Sequence, residues 1–349
     1  MSESSNSDAL RVMVTGGAGF IGSHLCARLI RDGHRVLAID NLCDYYDVEL
    51  KRHRLQMLDR VSREESGCGG TFAFERVDIS DAHALERQFC SFEPEVVINL
   101  AAQAGVRYSL VDPQSYVRSN ITGFLNVLEC CRAHPVRKLV YASSSSVYGE
   151  SSMAPFSEDE RCDEPESLYA ASKRSDELMA FTYAKLFGID ITGLRFFTVY
   201  GPFGRPDMAY FKFAELMADG KSIKLYNQGN MLRDFTYVSD IVEAIVRVAF
   251  ATSRTSSSSV SHRVYNVGHG CPVMLGDFVD TLEASLAREG ILDAPARREL
   301  APMQPGDVHQ TYADTSRLER DYGFVPIVSL EEGLAEFARW YATWRTRQS

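Results

Sequence analysis

The 349-residue sequence contains no apolar run that approaches the ~20 residues a membrane-spanning helix needs. It also has no excess of positive charge, because 37 lysines and arginines face 47 aspartates and glutamates, for a formal net charge of −10. An acidic chain without a basic tract does not favour binding to nucleic acid or to an anionic membrane. The polar, serine-rich start is unlike a signal peptide, and residues 1–9 are expected to form a disordered tail. These features favour a soluble cytoplasmic protein.

The eight cysteines are scattered and include no C-x-x-C pair. The eight histidines also lack the spacing of metal ligands. Neither a disulfide framework nor a bound metal is therefore predicted. Hydrophobic residues make up 45% of the chain, which is enough for one large domain or two smaller ones.

The first 200 residues alternate between strand-like and helix-like segments, a pattern typical of a parallel sheet covered by helices on both faces. Strands are expected at residues 11–15, 34–39, 71–77, 96–101, 138–143 and 190–197. Helices are expected between them, notably at residues 20–31, 113–133 and 167–187.

After about residue 200 the alternation weakens. Short strands and helices are mixed with turns there, at residues 223–226, 237–250, 264–267 and 275–288. We therefore expect a first domain over residues 1–200 and a smaller lobe over residues 201–349, with some elements of the second part returning to the first domain.

Three glycines, Gly16, Gly19 and Gly22, follow the first expected strand and open the first expected helix. They allow a tight turn and let a pyrophosphate approach the helix N-terminus, where free N–H groups favour an anion. Asp40 ends the second expected strand, where a carboxylate bonds adenosine ribose hydroxyls and repels a 2′-phosphate. The pattern predicts binding of NAD rather than NADP; the alternative is a turn that only packs helix on strand.

The predicted fold class is therefore α/β, with a Rossmann-type doubly wound parallel sheet and a smaller α+β substrate-binding lobe.

Tyr169 and Lys173 lie four residues apart near the start of an expected helix, so their side chains share one face. An unperturbed tyrosine, with a pKa of about 10, is a poor base at neutral pH. The Lys173 ammonium favours the phenolate, which is the form that accepts a proton. The serine run 143–146 follows the fifth expected strand, at the sheet edge where ligands bind in this fold class. A hydroxyl there can bond the same substrate oxygen that Tyr169 deprotonates; the alternative is a surface helix with an incidental Tyr and Lys.

The glycine turn, the tyrosine–lysine pair and the serines together resemble the extended short-chain dehydrogenase/reductases, and within them the nucleotide-sugar epimerases and dehydratases. The resemblance covers nearly the whole chain. Four further segments are similar to the UDP-glucuronate 4-epimerases, namely residues 40–47, 101–109, 194–208 and 233–237.

The resemblance implies C4 epimerisation of UDP-glucuronate to UDP-galacturonate through a 4-keto intermediate, with a retained NAD that is regenerated in each turnover. Tyr169 corresponds to the family's base, and Ser144 to the residue that bonds the reacting 4-oxygen. Ser143 and Ser145 are close competitors for that second role, because a run of four serines leaves the alignment ambiguous.

The serine run also bears on which reaction is expected. Related dehydratases carry an Asp-Glu pair where Ser145 and Ser146 stand, and related decarboxylases carry Glu at the position of Ser146. A serine cannot supply a carboxylate's proton chemistry, so both reactions are disfavoured. Arg205 corresponds to the family's clamp for the sugar carboxylate, and a guanidinium suits a bidentate grip. The alternative for Arg205 is a surface arginine in a Pro/Gly loop.

The resemblance extends to further ligand contacts. Those implied for NAD are Gly16, Gly19, Phe20, Ile21, Gly22, Asp40, Asn41, Asp78, Ile79, Ala101, Ala102, Asn120, Ser143, Tyr169 and Lys173. Those implied for the UDP-sugar are Ser144, Ser145, Ser146, Tyr169, Thr198, Arg205, Phe211, Tyr226, Arg233 and Asp307. Within the second set, Arg233 corresponds to a diphosphate contact and Asp307 to a UDP-ribose contact, while Phe211 and Tyr226 are expected to line the uracil pocket.

Helices 113–133 and 167–187 resemble those that pair in this family's homodimers; the alternative is that they only cover the sheet. Two other functions remain open. A UDP-glucose/UDP-galactose 4-epimerase uses the same chemistry on a neutral sugar, which does not need the cation of Arg205. A non-catalytic NAD-binding regulator would be expected to lose the tyrosine–lysine pair, which this chain keeps.

Overall fold

The computed structural model describes residues 9–65, 69–150, 153–251, 261–303 and 309–348 of the chain. Its strands, numbered in chain order, are β1 (Arg11–Thr15), β2 (Arg35–Asp40), β3 (Thr71–Arg76), β4 (Val96–Asn99), β5 (Lys138–Ser144), β6 (Ile191–Phe196), β7 (Thr198–Tyr200), β8 (Ile223–Leu225), β9 (Leu232–Arg233), β10 (Phe235–Tyr237), β11 (His262–Val267), β12 (Val273–Met274) and β13 (Arg298–Leu300).

The α-helices are α1 (Phe20–Arg31), α2 (Val48–Glu64), α3 (Ala82–Phe92), α4 (Pro113–Tyr116), α5 (Gly123–Ala133), α6 (Leu168–Phe187), α7 (Ala209–Ala218), α8 (Val238–Phe250), α9 (Leu275–Arg288), α10 (Ser316–Tyr322) and α11 (Leu330–Gln348). In the ranges that the structure describes, no helix is both long and apolar enough to cross a membrane.

The central sheet has seven strands in the order β3-β2-β1-β4-β5-β6-β11, and each neighbouring pair runs parallel. The order reverses between β1 and β4, which is the place where doubly wound sheets bind ligands beyond the carboxyl ends of their strands. The last strand, β11, comes from the second part of the chain and pairs with β6 from Ile191 to Phe196. Residues 264–267, expected as a short strand of the smaller lobe, therefore lie at the edge of the main sheet.

Both faces of the sheet are covered because its strands are apolar on both sides. Val12 and Val14 of β1 pack in a core with α1 and α8, through side chains such as Leu25 and Ile245. Met13, between those two valines, points to the other face and packs in a separate core with α3, α5 and α6. The alternation follows from the two-residue period of a strand.

A smaller lobe beside the sheet has its own aromatic core, formed by α7, α9 and α11 with short strands around them. Phe235 stacks on Phe278 with ring centroids 3.9 Å apart. Three two-stranded sheets, β7 with β10, β8 with β13 and β9 with β12, accompany these helices. The lobe faces the carboxyl edge of the large sheet, because Met208, just before α7, lines the cavity there.

The expected helix 113–133 is continuous but not uniform. Residues Val117–Thr122, between α4 and α5, form a π-helical stretch. Such stretches commonly occur at functional sites, and Arg118 and Ser119 within this one line the same cavity.

Candidate active site

A cavity of about 460 Å³ lies at the carboxyl edge of the sheet, at the reversal of strand order between β1 and β4. Its size falls within the range typical of small-molecule and cofactor sites. The glycine turn after β1, the ends of β2 and β3, and the segment after β4 line one side. The serine run, Tyr169, Lys173 and the segments around Thr198 and Arg205 line the other.

The glycines of the turn after β1 let the backbone pack closely around it and leave the start of α1 without a capping side chain. Gly16 has a φ of +71°, and a Cβ there would lie 2.7 Å from the nitrogen of Ala101. A Cβ on Gly22 would lie 2.1 Å from the carbonyl oxygen of Gly16, so the turn and α1 could not pack this closely with a side chain at that position. Gly19 precedes α1 without a capping side chain. The N-terminus of α1 is thus bare toward the cavity and fits an anionic diphosphate.

Two carboxylates, Asp40 at the end of β2 and Asp78 just after β3, lie beyond the glycine turn. Oδ1 of Asp40 accepts from the nitrogen of Leu42 at 2.8 Å and from Nζ of Lys51 at 3.3 Å. Nδ2 of Asn41 donates to Oδ2 of Asp78 at 2.9 Å. Although burial works against it, this bond and those from Ser80 hold the pKa of Asp78 below its usual range. These side chains line the cavity where the adenosine part of NAD is expected.

Asn120 is the one residue expected to contact NAD that does not line the cavity. It is 1% exposed, and its Nδ2 donates to the carbonyl oxygen of Gln103 at 3.0 Å and to Oγ of Ser172 at 2.8 Å. Its Oδ1 accepts from the nitrogen of Gln103 at 2.8 Å. In the structure, Asn120 therefore joins the segment after β4 to helix α6, and its polar atoms face protein groups.

Helix α6 carries the tyrosine–lysine pair at its start, because Ser167 caps the helix by accepting from the nitrogen of Ala170 at 3.1 Å. Tyr169 is half-buried and Lys173 is 2% exposed, and both line the cavity. Nζ of Lys173 donates to the carbonyl oxygen of Ala142 at 2.8 Å. The ammonium is thus held against β5 beneath the serine run.

Asp176, one turn after Lys173, is an acid that no pattern in the sequence singles out. Its Oδ2 lies 3.3 Å from Nζ of Lys173, it is 1% exposed, and its Oδ1 has no hydrogen-bond partner. Burial raises the pKa of Asp176 to about 7, despite the opposing charge of Lys173. The lysine thus has a buried acid beside it.

The structure separates the roles of the four serines. Oγ of Ser143 donates to Oε1 of Glu177 at 2.7 Å, and Glu177 also binds Arg195 with both oxygens. Oγ of Ser144 instead donates to Oγ of Ser146 at 3.2 Å. Because successive residues of a strand point to opposite faces, Ser143 and Ser144 cannot both present their hydroxyls to one substrate atom. The contacts favour Ser144 over Ser143 as the partner of the sugar oxygen.

Arg205 lines the cavity together with Thr198, but it is not a free guanidinium. Its Nε donates to Oδ1 of Asp207 at 2.9 Å and its Nη2 donates to Oδ2 at 2.5 Å. The phenol of Tyr45 donates to the same Oδ2 at 3.2 Å. The sequence singled out Arg205 but neither Asp207 nor Tyr45, although both lie in segments that carry the resemblance.

Three residues expected to contact the nucleotide do not line the cavity. Phe211 is 1% exposed and packs edge-on against Phe337, Trp340 and Tyr341 in the core of the lobe. Its position therefore departs from the expectation that it lines a uracil pocket, because the apolar ring is buried among other rings.

Tyr226 and Arg233 are both half-buried. The guanidinium of Arg107 lies 5.5 Å from the centroid of the Tyr226 ring. Nη1 of Arg233 donates to the carbonyl oxygens of Leu232 at 2.9 Å and His309 at 3.3 Å. Asp307 lies outside the described residues.

Arg54 is a further residue that sequence reasoning missed. It is fully buried, and it donates to the carbonyl oxygens of Ala18 at 3.0 Å and Phe203 at 2.7 Å, as well as to the phenol of Tyr46 at 2.6 Å. It thus ties the glycine turn to the segment that carries Arg205. One arginine in a highly charged helix gives no signal of this role, because its partners are mostly backbone atoms distant in the chain.

The fold and these side chains define a dinucleotide-binding α/β protein that carries a Tyr-x-x-x-Lys pair beside its diphosphate cradle. The chain belongs to the NAD dependent epimerase/dehydratase family, whose sequence model matches residues 12–268. The predicted fold class and family are thereby confirmed.

Its similarity to known proteins covers almost its full length. The chain is 46% identical over 343 residues to the protein CapI of Staphylococcus aureus, covering 95% of this chain and 98% of CapI. It is 45% identical over 344 residues to the probable UDP-glucuronate 4-epimerase of Rhizobium meliloti, covering 95% and 97% of the two chains. The solved UDP-glucuronic acid 4-epimerase from Bacillus cereus, in complex with UDP-glucuronic acid and NAD, superimposes with a TM-score of 0.84 at 34% identity, covering 95% and 99%.

Proposed function

We propose that this chain catalyses the reversible C4 epimerisation of UDP-glucuronate to UDP-galacturonate through a 4-keto intermediate, with tightly bound NAD. The observation that carries the proposal is that a diphosphate cradle, the Tyr169–Lys173 pair, Ser144 and Arg205 all line one cavity. The relatives named for this reaction match nearly the full length of the chain.

The residues of the chain divide the proton chemistry among them. Tyr169 takes the proton of the sugar 4-hydroxyl and gives it back when the alcohol re-forms. Ser144 bonds the same oxygen and orients it toward Tyr169. Lys173, fixed by the carbonyl oxygen of Ala142, supplies the positive charge that favours the phenolate. NAD bound in the cradle would supply the acceptor for the hydride of C4 and the donor for its return to the opposite face, so no net oxidation would result.

The carboxylate of the sugar calls for a cation. Arg205, the arginine that the resemblance implies for this contact, lines the same cavity as the serine run and Thr198. Ser145 and Ser146, with Thr198, offer hydroxyl groups but no carboxylate. The site thus lacks, at the two positions where related enzymes carry them, the acids used for dehydration or decarboxylation. Arg205 favours the charged sugar over the neutral sugar of a UDP-glucose 4-epimerase.

Contacts to the uridine diphosphate remain part of the proposal. Arg233 for the diphosphate, Asp307 for the ribose and Tyr226 for the base are the residues that the resemblance implies. Arg233 and Tyr226 lie on the lobe side near one another in the chain, within or next to short elements at residues 226–233. Binding of UDP measured with Arg233→Ala and Asp307→Ala variants tests these assignments.

We also propose a homodimer. Apolar side chains are exposed along one face of the Val117–Ala133 region, at Val117 and Leu125, and along α6, at Leu178 and Phe181. Residues three, four or eight apart lie on one side of a helix, so each pair forms a stripe that a second copy would cover. Light scattering on the purified chain distinguishes a dimer from a monomer.

A cytoplasmic location is part of the same proposal. In the described ranges all seven cysteines are free, including the adjacent buried Cys130 and Cys131. Free thiols are typical of a reducing compartment.

Incubating the purified protein with UDP-glucuronate and no added NAD, followed by proton NMR, tests the function. UDP-galacturonate as the sole product is expected and would establish both the reaction and a retained cofactor. A UDP-pentose product would contradict the assignment of an epimerase that protects its keto acid. Conversion of UDP-glucose but not of UDP-glucuronate would move the assignment to a neutral-sugar epimerase.

A further inference from the structure

Arg205 is held in one orientation by a carboxylate of the protein itself. Asp207 binds the edge of the guanidinium formed by Nε and Nη2, at 2.9 and 2.5 Å. Among the described residues, Nη1 has no hydrogen-bond partner. Arg205 and Asp207 have the same exposed fraction, 22% of each side chain, so water only partly screens the pair. The substrate can therefore approach the edge that Asp207 leaves open.

Tyr45 fixes the carboxylate in turn. Its phenol donates to Oδ2 of Asp207 at 3.2 Å. Gly105 leaves room for this phenol, because a Cβ there would lie 2.8 Å from the phenol oxygen. Tyr45 comes from a distant part of the sequence, whereas Arg205 and Asp207 are two residues apart. The three side chains meet at the cavity wall, which Tyr45 and Arg205 line.

The charge state of the trio follows from its contacts. Burial works against the carboxylate, but Arg205 and the phenol of Tyr45 hold the pKa of Asp207 below its usual range. Burial and the charge of Asp207 raise the pKa of Tyr45 to about 12, so the phenol keeps its proton and remains a donor. At neutral pH the cation of Arg205 is therefore offset by a fixed anion before any substrate binds.

This arrangement matters because the proposed reaction needs a contact that can be released. Hydride leaves one face of C4 and returns to the other, so the keto sugar must turn over within the cavity between the two transfers. A salt bridge from its carboxylate to an unopposed, half-buried arginine would resist that motion, since paired charges at such sites are costly to separate. A guanidinium already bound to a protein carboxylate gives a weaker and exchangeable grip.

We propose that Asp207 is a positioning residue that competes with the substrate carboxylate for Arg205. It keeps one edge of the guanidinium turned to the cavity and weakens the hold on the sugar, so that the 4-keto intermediate can detach, turn and bind again. The inference rests on the proposed function for the identity of the ligand.

Asp207→Asn tests this role, because asparagine keeps an oxygen that accepts from Arg205 while the negative charge is lost. Dissociation constants for UDP-glucuronate and UDP-glucose are measured by calorimetry in a Tyr169→Phe background, where turnover does not change the ligand. The constant for UDP-glucuronate is expected to fall about fivefold, the effect of removing one nearby like charge at a partly exposed site. The constant for neutral UDP-glucose should change by less than about twofold.

The kinetics provide a second readout that a merely structural role would not move. With Tyr169 intact, Asp207→Asn should lower both KM and kcat for UDP-glucuronate, because a tighter grip slows the turning of the keto sugar. Equal losses of affinity for the two nucleotide sugars, or an unchanged ratio of their dissociation constants, would overturn the inference.

Tyr45→Phe offers a test of opposite sign that does not depend on the folding of the first variant. Without the phenol, Asp207 binds Arg205 with less competition, so the preference for UDP-glucuronate over UDP-glucose should weaken by about twofold. A strengthened preference would contradict the proposal. Asp280→Asn is the matched control, because Asp280 pairs with Arg298 at 2.6 Å on the exposed surface of α9 and should leave both constants unchanged.

The proposed function and the proposed role of Asp207 can fail separately. If the unaltered enzyme does not convert UDP-glucuronate, the proposed function fails, whereas the binding ratio still reports whether Asp207 tunes recognition of a carboxylate. If the unaltered enzyme does convert it and the ratio is unchanged in Asp207→Asn, the inference about Asp207 fails alone.

Discussion

The two sides of the cavity are built from different parts of the polypeptide. On the side proposed for the cofactor, the lining includes small residues that follow neighbouring parallel strands, such as Gly16 after β1 and Ala101 after β4. On the side proposed for the substrate, it includes long polar side chains, such as Tyr45 and Arg205, that lie far apart in the sequence.

The difference shows that local sequence motifs form one side of the cavity and contacts made in the fold form the other. A diphosphate cradle needs a tight turn and a bare helix N-terminus, which glycines at a fixed spacing supply locally. A carboxylate grip needs charges of matched strength, and these depend on burial and on partners that the fold brings together, as it brings Tyr45 to Asp207. Tyr169 and Lys173 line the same cavity, and in the proposed reaction both the cofactor and the sugar reach them.

The largest effect is expected where the two sides meet. Tyr169→Phe removes the hydroxyl that exchanges a proton with the sugar and should lower kcat for UDP-glucuronate by about 1,000-fold. NAD retained after gel filtration should be unchanged, because the diphosphate cradle is untouched. Tyr183→Phe is the matched control on the same helix, since that phenol binds Glu129 outside the cavity. Near-normal turnover by Tyr169→Phe would remove this residue from the role of base.

On the substrate side alone, Arg205→Ala should lower kcat/KM for UDP-glucuronate by about 100-fold. The variant loses the cation and also leaves Asp207 unpaired, where it repels the sugar carboxylate. The NMR assay with UDP-glucuronate measures the loss, and bound NAD should stay at the normal level. Arg298→Ala breaks a comparable pair of acidic contacts on α9 and serves as the control. Unchanged kcat/KM in Arg205→Ala would show that another group holds the carboxylate.

Arg54→Met should affect both sides of the cavity at once, because Arg54 hydrogen-bonds to the glycine turn and to the segment that carries Arg205. Its contacts to Ala18 and Phe203 are charge-assisted and buried, so their loss should lower the free energy of unfolding by about 2 kcal/mol. The NAD content should fall and the KM for UDP-glucuronate should rise in the same variant. Denaturant unfolding and the absorbance of released NAD measure these effects.

Arg52→Met, on the same helix, provides the comparison for Arg54. Arg52 pairs with Glu49 at an exposed position, where such pairs contribute little. A loss of NAD with unaltered KM in Arg54→Met would mean that the residue supports the cofactor side only.

The smallest expected effect concerns pH and the acid beside Lys173. Asp176 has a pKa of about 7 in the folded state against 3.8 for the free group. Between these values the folded state holds a proton that the unfolded state has lost, so ionisation of Asp176 destabilises the protein as the pH rises from about 4 to about 7. Asp176→Asn removes this loss and should therefore stabilise the fold more at pH 8 than at pH 5.

Thermal unfolding of the unaltered chain and of Asp176→Asn across this pH range checks the sign. The two Tm curves should converge toward pH 4 and separate above it. A constant difference between them would show that the Lys173 charge fully stabilises the ionised acid in the folded state.

Local patterns predicted the elements around the cofactor well. Strand Arg11–Thr15 and helix Phe20–Arg31 have the expected bounds, because an apolar run, three glycines and a helical period follow one another within 21 residues. Helix Leu275–Arg288 in the lobe also has the predicted bounds. These elements depend on hydrophobic period and turn chemistry, which a short stretch of sequence contains in full.

Long-range contacts limited the prediction elsewhere. Residues 264–267 look like any short strand, and only pairing with β6 places them in the main sheet. Phe211 is an aromatic residue of the kind that lines base-binding pockets, but three aromatic side chains of α11 bury it. The serine run gave four equivalent hydroxyls, and the contact from Ser143 to Glu177 distinguished one of them.

The sequence by itself determined the doubly wound sheet, the diphosphate cradle and the identity of the tyrosine–lysine pair, because each depends on residues close together in the chain. Only the tertiary structure decided how deeply the neighbouring pairs Arg205–Asp207 and Lys173–Asp176 are buried, and which distant backbone groups Arg54 contacts. The physical reason is that an ion pair's strength depends on distance and burial, and the fold fixes both.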